Sequence, residues 1–274
     1  MIKRLLLKAY NAFLKYRRES KWRKQTRYWR GVINQKNTLR IDENARYLIL
    51  APHADDEWIG CSQVIKTCEN TVVLNMDMPG GDTNEMHQIR YREMSTLVSK
   101  YNKTLLTVGQ DKVGSLRGYI DKEKPDCICL PFFFDWHPEH VQVMQYLREA
   151  LSVVTYEGIV LMYQVSLPLH PDMINCSVPL NKKGFLEKWE VFEEIYKTQT
   201  KIAFRRFMAN EQINGALNGT YAAEVYCSMT KTEWNDKFNI FLLSEKETMD
   251  VKTTLQDISI TRNKVVECLS GRIK

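Results

Sequence analysis

From residue 46 to residue 164 the chain alternates short apolar runs with longer stretches of helical period. The run Arg46-Tyr-Leu-Ile-Leu50 reads as a buried strand over 46–51, and similar runs predict strands at 71–76, 104–108, 126–130 and 158–164. Helices are predicted between them at about 57–68, 84–101, 112–122 and 138–153. This alternation predicts an α/β fold, with a doubly wound, Rossmann-like, mostly parallel sheet and helices on both faces. In the order 3-2-1-4-5, strands one and four are neighbours at the switch point, the place where such sheets bind ligands beyond their carboxyl ends.

Outside this region the pattern is less regular. Residues 2–16 set Ile2, Leu5, Leu6, Ala9, Tyr10 and Phe13 at helical spacing, with lysines and arginines mostly on the other face. Residues 165–180, punctuated by prolines, predict a long loop that could wall a pocket, and His170-Pro-Asp within it reads as loop punctuation. Residues 181–214 read as mostly helical, 218–230 as a further helix, 238–243 as a strand or short buried segment, and 247–274 as a polar tail or helix. The implied division is an N-terminal extension over 1–40, a main domain over 41–246 and a C-terminal tail over 247–274.

Two polar clusters follow predicted strands. His53, Asp55, Asp56 and Glu57 come just after the first, and Asp135-Trp-His-Pro-Glu-His140 comes just after the fourth. Three of the five histidines lie in these two stretches, so the two are hard to treat as independent accidents. A His and an Asp three residues apart can hold one divalent metal, which leaves the intervening carboxylate free to act as a base on water. His137 and His140 share a face at a helix start, and Pro138 suits the first turn. The plainer reading is a polar loop capping a helix. Gly80-Gly81 is too short and misplaced for a nucleotide-binding fingerprint.

These residues resemble the PIG-L/LmbE-like zinc-dependent de-N-acetylases. That family's Ala-His-Pro-Asp-Asp-Glu signature stands here as Pro52-His53-Ala54-Asp55-Asp56-Glu57 with Gly60-Cys61, and its His-Pro-Asp-His as His137-Pro138-Glu139-His140. Arg90-Tyr-Arg-Glu93, Val108-Gly-Gln-Asp111 and Lys124-Pro-Asp126 are weaker matches. The departures are Ala54 for Pro, Cys61 for Gly and Glu139 for Asp. The resemblance implies Zn²⁺ held by His53, Asp56 and His140, with Asp55 as general base. It implies that His137 stabilises the oxyanion or protonates the leaving amine, and that Arg90 and Asp111 contact substrate. Arg90 could instead pair with Glu93 or Glu85, and Asp111 could cap the helix that follows it. The implied reaction removes acetate from an N-acetylated amino sugar, small or lipid-linked. The alternatives are a zinc amidase acting on another amide such as a thiol conjugate, a membrane- or nucleic-acid-associated binding protein, or a folded relative without activity.

Composition adds one feature. At 274 residues and 44% hydrophobic content the chain can bury a large core, and it has no run of eighteen apolar residues and no secretory leader pattern. Its seven scattered cysteines read as reduced thiols in a cytoplasmic protein. Cys127 and Cys129 alternate along a strand and so form no metal clip. The net charge of +6 is unevenly distributed: residues 1–40 carry thirteen bases and one acid, Glu19, and the remainder is net acidic. Such an arm suits an interfacial helix on an anionic membrane, at the inner face of the cytoplasmic membrane. It also suits a helix packed on its own domain or, least favoured, a nucleic-acid contact.

Overall fold

The computed structural model describes residues 2–133, 135, 137–165, 167–201 and 204–248. Among these residues seven strands form one sheet: β1 (Tyr47–Ala51), β2 (Thr71–Asn75), β3 (Thr104–Thr107), β4 (Cys127–Pro131), β5 (Ile159–Tyr163), β6 (Cys176–Leu180) and β7 (Ala222–Thr230). Their order is β3-β2-β1-β4-β5-β7-β6. The first five are parallel, in the order that makes β1 and β4 neighbours, and β7 runs antiparallel between β5 and β6. The helices that accompany them are α1 (Ile2–Val32), α2 (Asp56–Thr67), α3 (Asn84–Lys100), α4 (Lys112–Glu123), α5 (Pro138–Leu151), α6 (Lys182–Ile195), α7 (Phe204–Asn214) and α8 (Lys231–Thr248).

All five residues of β1 are buried, as expected of a strand covered on both faces. Its side chains alternate between two cores. Leu48 and Leu50 join Leu116, Leu147 and Trp234 from α4, α5 and α8. Tyr47, Ile49 and Ala51 join Trp58, Leu97 and Phe192 from α2, α3 and α6. The β1–β4 register, Tyr47↔Cys127 to Ile49↔Cys129, sets the carboxyl ends of these two strands side by side.

The structure corrects the sequence reading after residue 164. Where a helix is expected over 218–230, Ala222–Thr230 form strand β7; Ala222, Ala223 and Glu224 have weak strand propensity, but the ladders to β5 and β6 satisfy the backbone. Gly219, with φ 65°, makes the turn into it. The 165–180 loop ends in β6, an edge strand that tolerates Pro179 because its outer side needs no ladder partner. Residues 238–243 lie within helix α8, where Phe238 is buried between Phe133 and Arg148. Residues 181–214 are broken by a 3-10 turn over Lys197–Lys201. Residues 249–274 of the expected tail lie outside the described residues. Helix α1 extends well past residue 16, and its second half packs Trp22 against Ala209 and Ile213 of α7. No helix among the described residues is long and apolar enough to cross a membrane.

A buried charge network braces the base of α2. Lys188 on α6 donates to Ile59 O at 2.8 Å, to Glu224 at 2.6 Å and to Glu211. Glu224 accepts from Gln63 N at 3.0 Å and from the Ser62 hydroxyl. Two carboxylates share one ammonium, and burial pushes Glu211 up to about 7, with Glu224 adding to the rise and Lys188 opposing it. A raised folded-state value means this group's contribution is full below about 4.5 and is lost as pH rises through about 7. Melting curves of Glu211→Gln beside the parent across that window should show a flatter pH dependence in the variant; parallel curves would contradict the reading.

Gly60 lies so close to the Tyr163 ring that a Cβ there would overlap it. Tyr163 cannot retreat without losing its 2.7 Å hydrogen bond to Leu50 O at the end of β1. Gly60→Ala should therefore cost about 1–3 kcal/mol, measured as a lower denaturation midpoint at unchanged m.

Candidate metal centre

The centre lies beyond the ends of β1 and β4. After Ala51 the chain turns through Pro52, and Asp55 takes φ 116° at the N-cap of α2. Such a conformation is costly for a non-glycine residue and persists only where its surroundings over-determine it. Here the Asp55 N–H donates to Glu57 Oε2 at 3.1 Å, its carbonyl accepts from Trp58 and Ile59, and Gln199 holds Ala54 O at 3.3 Å. Glu57 is held in turn by the Tyr196 hydroxyl. The result turns Asp56 towards His53, whose N–H donates to Asp56 Oδ2 at 3.0 Å.

Three donor atoms form a nearly equilateral triangle. His53 Nδ1 is 3.3 Å from Asp56 Oδ2 and 3.2 Å from His140 Nε2, and His140 Nε2 is 3.2 Å from Asp56 Oδ2. A tetrahedral ion with bonds of about 2.0–2.1 Å sets its ligands about 3.3 Å apart. Each histidine also turns its other nitrogen to a carboxylate. His140 Nδ1 meets Asp135 Oδ2 at 2.8 Å, and His53 Nε2 meets Glu139 Oε2 at 2.5 Å. With both outer nitrogens turned to carboxylates, the two inner nitrogens and Asp56 Oδ2 converge on one point between them. Outer carboxylates of this kind are the usual partners of metal-binding histidines.

The electrostatics agree. Burial alone would raise Asp56, but His140 and His53 beside it hold its carboxyl far below the ordinary range. Burial opposes charge on His140, yet Asp135 and Asp56 on either side raise its proton affinity well above the usual value. Positive charge is thus favoured where the three donors converge. Asp55 behaves in the opposite way: burial, with Asp56 and Glu57 next to it, raises its carboxyl well above the ordinary value.

His137 is the N-cap residue of α5, with its ring centroid 4.6 Å from that of His53 and 5.0 Å from that of His140. It offers a third imidazole nitrogen within 4.8 Å of the other two, so His53, His137 and His140 form an overlapping ligand group. Burial, followed by the neighbouring histidines, depresses His137 to about 4, leaving it neutral at ordinary pH. The Asp56-containing triangle fits a cation better, because it includes an ionised carboxylate and its edges match a tetrahedral site.

His53, Asp55, Asp56, His137 and His140 are thus brought together. Arg90, on α3, borders the same pocket as Pro52, His53 and His87, and pairs with Asp82 at 2.7 Å rather than with Glu93 or Glu85. Glu93 instead accepts from Thr198 N at 2.9 Å. Asp111 caps α4, accepting from Gly114 N at 2.8 Å, and among the described residues nothing links it to the histidines. Sequence reasoning missed the roles of Asp135 and Glu139, although both lie in the stretch it singled out. Glu139 also accepts from Gly80 N at 2.9 Å, which ties the 77–82 loop to His53. Gly80, at φ 60°, would bring a side chain within 3.2 Å of the His53 ring.

Solved structures share this fold. A conserved protein from Thermus thermophilus aligns at TM-score 0.53 and 17% identity, covering 66% of this chain and 93% of that one. A deacetylase triple mutant involved in the teicoplanin biosynthetic pathway aligns at 0.51 and 10% identity, covering 68% and 98%. The A40926 pseudoaglycone deacetylase aligns at 0.51 and 12% identity, again covering 68% and 98%. No protein-family model matches the chain, and no curated protein matches it. The chain therefore shares the α/β fold of these solved structures.

If Asp135 orients His140, Asp135→Ala should weaken zinc binding about 10–100-fold in protein that circular dichroism shows to be folded. Chelator competition measures the binding, and unaltered zinc affinity would remove Asp135 from this role.

Proposed function

We propose that the chain is a zinc-dependent hydrolase that removes the acetyl group from an N-acetylated amino sugar or its glycoconjugate. The observation that carries this reading is the pair of inward-facing imidazole nitrogens, each backed by a carboxylate, with Asp56 completing the triangle. The fold shared with solved deacetylases supports it. His53, Asp56 and His140 would hold the metal. A bound zinc ion would supply Lewis acidity, polarising an acetamide carbonyl and making water more acidic.

The remaining steps fall to side chains of this chain. Asp55 is buried beside the centre with a raised proton affinity, as suits a base working near neutrality. It takes a proton from the attacking water as the new C–O bond forms. His137, neutral, donates a hydrogen bond to the developing oxyanion. The C–N bond then breaks, the proton passes from Asp55 to the amine nitrogen, and acetate and the free amino sugar leave. Arg90 borders the pocket beside His53 and would contact the sugar.

A screen of N-acetylated nucleotide-, lipid- and inositol-linked sugars for acetate release tests this. The zinc-loaded protein should release acetate from at least one class and the metal-free protein from none; full activity without metal would overturn the reading. Asp55→Asn should keep zinc and lose about 10²–10⁴-fold in turnover. His137→Ala should keep zinc and slow turnover, and His140→Ala should lose the metal. Equal zinc loss in both histidine variants would make His137 a ligand.

A further inference from the structure

Helix α1 has two halves with different surroundings. In the second half Trp22 is 5% exposed and packs with Ala209 and Ile213, and Arg30 donates to Thr220 O at 2.9 Å. In the first half Leu6, Tyr10 and Phe13 are 65%, 59% and 56% exposed. The geometry of the helix explains why. Phe13 and Trp22 are nine residues apart, about two and a half turns, and Leu6 and Trp22 are about four and a half turns apart. Half-turn offsets put Leu6 and Phe13 on the side of α1 opposite the face seated on α7. A longer contact with the domain would not cover them.

The outward face continues in a different chemistry. Positions 6, 10, 13, 17, 21 and 24 follow one helical stripe, reading Leu6, Tyr10, Phe13, then Arg17, Lys21, Lys24. All six are exposed. Arg17 lies 5.9 Å from the Phe13 ring, joining the two parts. Glu19 is the sole acid in residues 1–40 and pairs with Arg205 at 3.2 Å.

We propose that this stripe docks the protein on the surface of an anionic lipid bilayer, with its apolar turns in the acyl boundary and its cationic turns against the headgroups. One face about 27 Å long presents an apolar region followed by a cationic one. A bilayer interface offers both to a helix lying at a shallow tilt. Nucleic acid would engage the cations but leave Leu6 exposed. A second copy docked in parallel would set one cationic row beside another, and docked antiparallel would bury each cationic row against apolar side chains; both are unfavourable. The proposal does not depend on the catalytic reading, because no residue of the metal centre takes part.

Sedimentation of the full chain with vesicles tests it. Vesicles of equal parts phosphatidylglycerol and phosphatidylcholine should pellet the protein, phosphatidylcholine alone should not, and added salt should release it. Each cation near an anionic surface changes affinity by about fivefold, so Arg17→Gln with Lys24→Gln should weaken binding by more than about tenfold. Leu6→Ser, Tyr10→Ser and Phe13→Ser together should abolish binding while leaving the melting temperature unchanged, since these side chains are already in water. Binding that ignores both sets of substitutions overturns the proposal. So does an absence of vesicle binding, whether accompanied by salt-sensitive DNA binding, by dimers that the triple variant dissolves, or by an earlier melt of that variant from lost intramolecular cover.

Discussion

The parallel pairing of β1 with β4 is the constraint on which the site depends. Residues 80 positions apart in the chain share hydrogen-bonded register here, sealed at the entrance by Arg46 donating to Asp126 at 2.8 Å. That ladder sets the Asp55 turn and the start of α5 against each other. Without it His53 and His140 would be two unrelated polar residues at helix starts. With it their ring nitrogens stand 3.2 Å apart. Because both strands are buried on both faces, the register cannot slip without moving apolar residues from one core to the other.

The site concentrates carboxylates around those histidines: Asp55, Asp56, Glu57 and Asp135 are all buried. Buried charges are costly unless paired, and here the pairing is divided among distinct tasks. Asp56 faces the convergence point, Asp135 and Glu139 hold the outer histidine nitrogens, and Glu57 with Tyr196 fixes the loop. Asp55 makes no side-chain cap bond and burial dominates its surroundings, which is why its proton affinity rises while that of Asp56 falls. Neighbouring carboxylates with opposed proton affinities are the pattern expected where one group binds a cation and the other moves a proton.

The braces lie outside the centre. Lys188 ties α2 to the second half of the chain through Ile59 O and Glu224, and the 3-10 turn at Lys197–Lys201 touches both the Asp55 loop and α3. Breaking a buried pair of this kind typically costs about 3–5 kcal/mol. Helix α1 divides in the same sense, with one half braced on α7 and the other presenting its apolar residues to solvent.

The sequence by itself determined the parallel half of the fold and the two polar clusters. Short apolar runs and helical periods are local signals; right-handed crossovers allow more than one strand order, and the structure decides for β3-β2-β1-β4-β5. Three further features came only from tertiary structure. β7 is a strand because β5 and β6 offer it two ladders, a long-range effect that outweighs the weak local preference of Ala222–Glu224. The outer roles of Asp135 and Glu139 depend on which way two imidazole rings turn, and nothing in the spacing of their residues fixes that. The apolar stripe of α1 was legible as a pattern. Which side of the helix it occupies relative to the domain was decided by Trp22 seating on Ala209 and Ile213, because a rigid helix fixes the far face once the near face is packed.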